Sequence, residues 1–383
     1  MGITTVHALG RNQKFFAAHE GTAGTFQKPA ATDAMKVLMS VMDPQIERAP
    51  RTDARSTRSL IERITGKGTI SWSMTKYIMP SGTAGTPPDD HLLWYAALGG
   101  YTNSVSTSDT YSLSASQTLR TLSLTRHLNE VLQEAIWGAW VDSITINVSG
   151  GDQPKVTFEG GAMGHAGTGT STLNGGMSGS TTMVVQTADG RNFEKNSVVK
   201  IDDSDNSGAG FAVTVDTARP SFTVEASVTE SSGATVVPFV PSETVAGSPL
   251  SQVLGSITFD GTTVPITALD FTIANNHKPF TDEAFQQFPN DIIPGFRDVT
   301  GNITLRARKD FILELGKRKA FATRDIVLIL GSTAGAKCTV NVDRAEFNFA
   351  AADIPEAEEA NIKLPFTALA SSSGEDETNI VFT

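Results

Sequence analysis

The stretch TGKGTISWSMTKY runs from Thr65 to Tyr77, and TGNITLRARKDF runs from Thr300 to Phe311. Each opens on Thr-Gly and passes through a Gly-x-Ile step into an alternating run. In the first, apolar Ile70, Trp72 and Met74 alternate with Ser71, Ser73 and Thr75, the two-residue period of a half-buried strand. Aligning Gly68-Thr69-Ile70 with Gly301-Asn302-Ile303 sets Trp72 against Leu305 and Lys76 against Lys309. The surroundings repeat as well. Residues 45–163 and 255–370 each hold a Gly-x-Ile strand, a short helix and a late hairpin whose return arm is KVTFEG or NIKLPFTA. One β-rich unit is written twice in this chain.

The whole chain has 383 residues and is 39% hydrophobic, enough for two or three cored domains. β-Branched residues between Gly, Pro, Asn and Asp clusters imply many short strands. The expected division is an irregular N-terminal arm at 1–35, a first β-domain at 36–165, a low-complexity linker at 166–180, a small inserted β-domain at 181–241, and a second β-domain with a C-terminal segment at 242–383. A short helix is expected from Thr32 to Lys36. Asp89 or Asp90 caps a second through HLLWYAALGG, which Gly99 ends. GNITLRARKDFILELGKRKAF reads as a strand followed by the matching helix of the second half. The insert reads as a five-stranded barrel, flanked by Gly/Ser-rich stretches that are flexible by composition.

Net charge is −11, which repels nucleic acid rather than binding it. Cys338 is the single cysteine, so no intrachain disulfide is possible. Its place in AKCTVNV suits a small strand residue. No apolar leader opens the sequence, and no apolar run approaches the ~20 residues of a membrane helix; a soluble protein made in the cytosol is expected.

Motifs for chemistry fail one by one. ITGKGT has Ile61 where a phosphate-binding loop needs its first glycine. GTGTSTLNGG has Thr172 at the third glycine position of a dinucleotide fingerprint. The six histidines show no metal-ligand spacing. DDSDNSGAGFAVT sets Asp203, Asp205 and Ser207 at positions 1, 3 and 5 of a calcium loop, but Thr214 stands where the bidentate Glu belongs; a solvated turn is the preferred reading over a weak Ca²⁺ site. No enzyme activity and no cofactor are expected. The one basic concentration, Arg306, Arg308, Lys309, Lys317, Arg318 and Lys319, faces in sequence the acidic tract with Glu356, Glu358 and Glu359. Opposite charges on two edges of a protomer suit head-to-tail contact between copies.

VPITALDFTIANNHKPF, VTGNITLRARKDF and IKLPFTAL resemble the tail tube proteins of long-tailed bacteriophages. RSTRSLIERITGKGTISWSMTKYIMP, LLWYAALGG, VDSITINVSGGDQPKVTFEGGAMG and the N-terminal KFFAAHEGTAGT are similar to the same family, over most of the chain outside residues 166–245. The resemblance implies two tandem tube-type β-sandwich or barrel domains, each with a flanking helix, and six such domains per ring in a hollow virion tail tube that carries DNA. It implies tape measure, tail terminator and tail-tip proteins as partners, and assembly in the host cytoplasm. If each half is one tube domain, a trimer with approximate sixfold symmetry closes the ring; if both halves make one barrel, six chains do. An acidic lumen is expected, with Asp142, Glu159, Asp270 and Glu346 as candidates. The alternatives are a virion decoration protein, an adhesin or a carbohydrate-binding protein. Trp72, Trp94, Trp137 and Trp140 lie in apolar stretches, which favours core packing over a sugar-binding aromatic cluster.

Overall fold

The structure is a computed structural model that describes residues 12–51, 62–116, 118–186, 193–215, 220–281, 286–306, 323–348, 352–353 and 361–383. Period two governs it. In the strand Arg63–Tyr77, Gly68, Ile70, Trp72, Met74 and Lys76 are buried, while most intervening side chains face the other way. In Asp298–Arg306 the buried set is Val299, Gly301, Ile303 and Leu305.

The two halves share a strand order. In the first, Met39–Pro50 pairs Arg63–Tyr77, which pairs Lys155–Gly161, which pairs the distal part of Leu132–Ser149, all antiparallel. The proximal part of Leu132–Ser149 pairs Leu122–Leu128, and that strand pairs Gln13–His19. In the second half, Ile266–Ala274, Asp298–Arg306, Asn361–Ala368 and the distal end of Ala336–Phe347 follow the same succession. Ala336–Phe347 then pairs Arg324–Thr333, which pairs Ser256–Phe259. The same succession of pairings thus occurs twice in the sheet. Across the joint, Gly301 shares its cross-strand row with Phe271, Ile146, Val156 and Lys76.

The halves are fused edge to edge. Ile266–Ala274 pairs Leu132–Ser149 from Ala268 opposite Ser149 to Ala274 opposite Ser143, so one sheet runs through both. A single apolar core lies beneath it and includes Trp72, Trp94, Phe158, Phe271, Phe366 and Phe382. Trp94 comes from the helix His91–Leu98, which Gly99 ends in the left-handed region at φ 86°, a conformation that glycine reaches without a Cβ penalty. The helix expected in the second half falls at residues 307–322, outside the described residues. The segment read as a helix from Thr32 is a 3-10 turn at Ala31–Asp33 leading into the strand Ala34–Met35, which pairs Gln13–His19. Cys338 is buried within Ala336–Phe347.

The stretch 166–180, read as a linker, carries ladder structure. Gly164–Thr168 pairs Gln133–Trp137, and Ser171–Thr172 and Met177–Val184 belong to the inserted unit. Gly/Ser-rich chain pairs wherever a neighbouring strand offers its backbone groups, because the ladder uses no side chain. The inserted unit has six strands rather than five, in the order Ser171–Thr172, Thr235–Pro238, Val198–Ile201, Phe211–Val215, Ser221–Glu230, Met177–Val184. A bridge between Leu173 and Val185 joins its two ends. It has its own core, with Phe193 stacked on Phe222 at 4.7 Å.

Candidate assembly surface

Residues directly opposite in an antiparallel ladder point to the same side, so the registers define the face of the long sheet that turns away from the core. Its central row is Thr75, Thr157, Thr145, Thr272, Thr300, Thr367 and Glu346, each opposite the next across seven strands. Thr75 and Thr157 share a hydroxyl hydrogen bond of 2.9 Å, and Thr145 and Thr272 one of 3.2 Å across the joint between the halves. The next row is Tyr77, Lys155, Asn147, Asp270, Asn302 and Pro365. The row on the other side is Val41, Ser73, Glu159, Ser143, Ala274 and Asp298. Glu159 accepts from the Ser143 hydroxyl at 3.4 Å.

Three of the four candidate acids, Glu159, Asp270 and Glu346, therefore share this face, interspersed with Lys155 and with Arg306 at the exposed end of its strand. Asp142 does not join them. Its Oδ1 accepts the His277 N–H at 2.7 Å and its carbonyl accepts the Asn275 N–H at 2.7 Å. It stands where the register of Leu132–Ser149 shifts between Val141 and Ser143, and such an irregularity re-aims a side chain. Arg308, Lys309, Lys317, Arg318, Lys319, Glu356, Glu358 and Glu359 lie outside the described residues. In the loop with Asp203, Asp205 and Ser207, Asp205 Oδ1 accepts the Gly208 N–H at 2.9 Å, the bond of a tight turn. Among the described residues no group of three or more His, Cys, Asp and Glu is placed to hold a metal ion.

The sheet ends in two different edges. Met39–Pro50 has a partner on one side only among the described residues. It carries Pro44 and Pro50, residues that suit an edge because they lack the N–H that a ladder uses. Met39 and Val41 are 57% and 43% exposed. At the far end, Glu346 and Phe347 pair Asn361–Ala368 on one side. The matching segment of the first half, Ser143–Ser149, has its second side covered by Ile266–Ala274.

One buried charge cluster lies on the core side of this sheet, and the alternation in SMTKY gives no warning of it. Lys76 is fully buried on the core side of its strand, where its Nζ pairs Asp89 and, at 3.3 Å, Asp90. These carboxylates stand at the start of the helix His91–Leu98. Burial pushes the Asp90 carboxyl up to about 6, against the pull of Lys76 and with a further push from Asp89. The Asp90 side chain, read from sequence as a helix cap, makes no capping hydrogen bond; it serves Lys76.

Among the described residues no helix is long and apolar enough to cross a membrane. Compared with known proteins, residues 10–368 match the family described as phage tail tube protein. No curated protein matches the sequence. Among solved structures, the tube-terminating cap of the anti-feeding prophage, known from cryo-electron microscopy, is 15% identical over 36% of this chain and 94% of its own, with a TM-score of 0.27.

Proposed function

Since the chain belongs to the phage tail tube protein family, a structural component of the virion tail, we propose that it closes into rings that stack as the hollow tube for DNA delivery, three chains to a ring. The observation that carries this reading is the contrast between the internal joint and the two open edges. Ile266–Ala274 fills the side of Leu132–Ser149 that its counterpart in the second half, the distal end of Ala336–Phe347, leaves uncovered among the described residues. Met39–Pro50 is the first-half counterpart of Ile266–Ala274. A second copy that offers Met39–Pro50 to that far end repeats the internal joint between chains. Such a contact is heterologous and closes by rotation. It also removes sheet edges that otherwise invite uncontrolled pairing.

Each half supplies four strands to the wall. Three chains then close a barrel of twenty-four, wider than the 16–18-stranded porins that already leave an aqueous channel. In that ring the threonine row and its flanking acids face the channel, where hydroxyls and carboxylates hold water and do not attract phosphate. Tape measure, terminator and tail-tip proteins are the partners proposed for the two tube ends and the channel. The decoration or sugar-binding alternative has less support: Trp72, Trp94 and Trp140 are buried, and the Trp137 ring lies over Gly164.

Electron microscopy of concentrated protein or of virion tails tests the proposal. Tubes with threefold symmetry approximating sixfold are expected. Six identical chains in each layer would refute the stoichiometry, and a monomer at every concentration in sedimentation would refute assembly.

A further inference from the structure

The inserted unit sits on the outer side of the strands Gln13–His19, Leu122–Leu128, Leu132–Ser149 and Gly164–Thr168, and its seat differs in kind from the rest of the interior. Lys14, His127, Gln133 and Thr168 form one cross-strand row there, with Phe16 and Thr125 in the row beside it. His127, Gln133, Thr125 and Thr168 are at most 1% exposed. Yet both His127 ring nitrogens, Gln133 Nε2, Thr125 Oγ1 and Thr168 Oγ1 find no hydrogen-bond partner among the described residues. Among the described residues the unit is held by the Val198 N–H to Gln133 Oε1 at 2.8 Å, the Gly167 N–H to Glu194 Oε2 at 2.7 Å, the Glu194 N–H to the Gly167 carbonyl at 3.4 Å, a β-bridge between Thr168 and Phe193, and Lys28 to Glu225 and the Gly210 carbonyl. Its apolar residues gather in a separate core.

We propose that this seat is an acid-sensitive hinge from which the inserted unit lifts as one body while the sheet of the two halves stays closed. A buried polar group without a partner costs about 1–3 kcal/mol. Undocking returns those groups to water, so the seat holds far less firmly than its buried area suggests. Entry at Ser171 and exit after Pro238 are both strands of the same small unit, so lifting it breaks one bridge, Thr168 to Phe193, and leaves the ladders of the long sheet in place.

His127 supplies the acid response. Its charged neighbours are Lys14 in the same row, ion-paired with Glu243 at 3.4 Å, and Arg126 with Glu134 on the reverse side of the strand pair; Glu194 of the inserted unit is engaged by Gly167 beside Thr168. Burial, and then the Lys14 charge, push the docked imidazole from 6.5 down to about 3. A depressed pKa in the docked state means that docking is favoured above pH 6.5 and weakened as pH falls toward 3. At pH 5 the linkage amounts to about 30-fold toward the undocked form.

Hydrogen exchange of the full chain at pH 7.5 and pH 5, corrected for the intrinsic chemistry of exchange, tests this. The amides of Val198 and Gly167 are expected to lose about 30-fold in protection, while those of Asp270 and Thr272 in the sheet joint hold. His127→Phe, or His127→Gln should that variant fold poorly, is expected to abolish the response. Equal protection at the two pH values in the wild type, or an undiminished response in the folded variant, overturns the proposal.

Discussion

The contact between the two halves and the seat of the inserted unit are both interfaces within one chain, yet they are built from different materials. The joint between the halves is seven consecutive ladder pairs over a shared core. The inserted unit is joined by scattered hydrogen bonds and one β-bridge over a row of buried polar side chains beside Phe16, and its core is its own. Cooperativity follows the core: elements that share buried apolar surface melt together, whereas a unit with a separate core opens alone.

The sharpest way to break that comparison is to remove one large ring from each core. Phe271 lies at the joint and stacks on Phe366 of the second half, while Phe222 is buried in the inserted unit. Either Phe→Ala change costs about 3–5 kcal/mol locally. Phe271→Ala is expected to lower the denaturation midpoint of both halves together. Phe222→Ala is expected to unfold the inserted unit and leave the sheet intact by hydrogen exchange. Loss of sheet protection in Phe222→Ala would show that the two cores are one cooperative system.

Acid sharpens the contrast, because the two regions respond with opposite signs. Asp90 has a raised pKa in the folded wall, so its contribution is fully present below the ordinary carboxyl value of 3.8 and is lost as pH rises through about 6. Between pH 7 and pH 4.5 this group makes the helix anchor firmer while the seat of the inserted unit loosens. Asp90→Asn, with Lys76 still paired to Asp89, is expected to flatten the wall's stability profile over that window in pH-dependent denaturation. An unchanged profile would assign the pH response of the wall to other groups.

The smallest effect concerns the threonine row. Thr145→Val and Thr272→Val each remove one partner of the hydroxyl bond that crosses the joint. About 0.5–1 kcal/mol is expected for either change, with the double variant losing less than the sum. Strict additivity in a double-mutant cycle would mean that the row is polar surface without coupling across the joint.

Several features of this fold were legible from local pattern alone. Alternation around Trp72 and around Ile303 placed the buried faces, because successive Cβ atoms leave a strand on opposite sides whatever its partners are. Gly99 ended its helix as read. The candidate acids Glu159, Asp270 and Glu346 were found on one face for the same local reason. Register is another matter. That Thr75, Thr157, Thr145, Thr272, Thr300 and Thr367 stand in line depends on which residues meet across strands far apart in the chain, and a slip of one residue would turn each to the other face. The displacement of Asp142, the burial of Lys76 between two carboxylates, and the unpartnered row under the inserted unit belong to the same class. Period and turn chemistry act over a few residues and are written where they act; pairing and burial are chosen by the whole folded chain, and only there do these side chains acquire their neighbours.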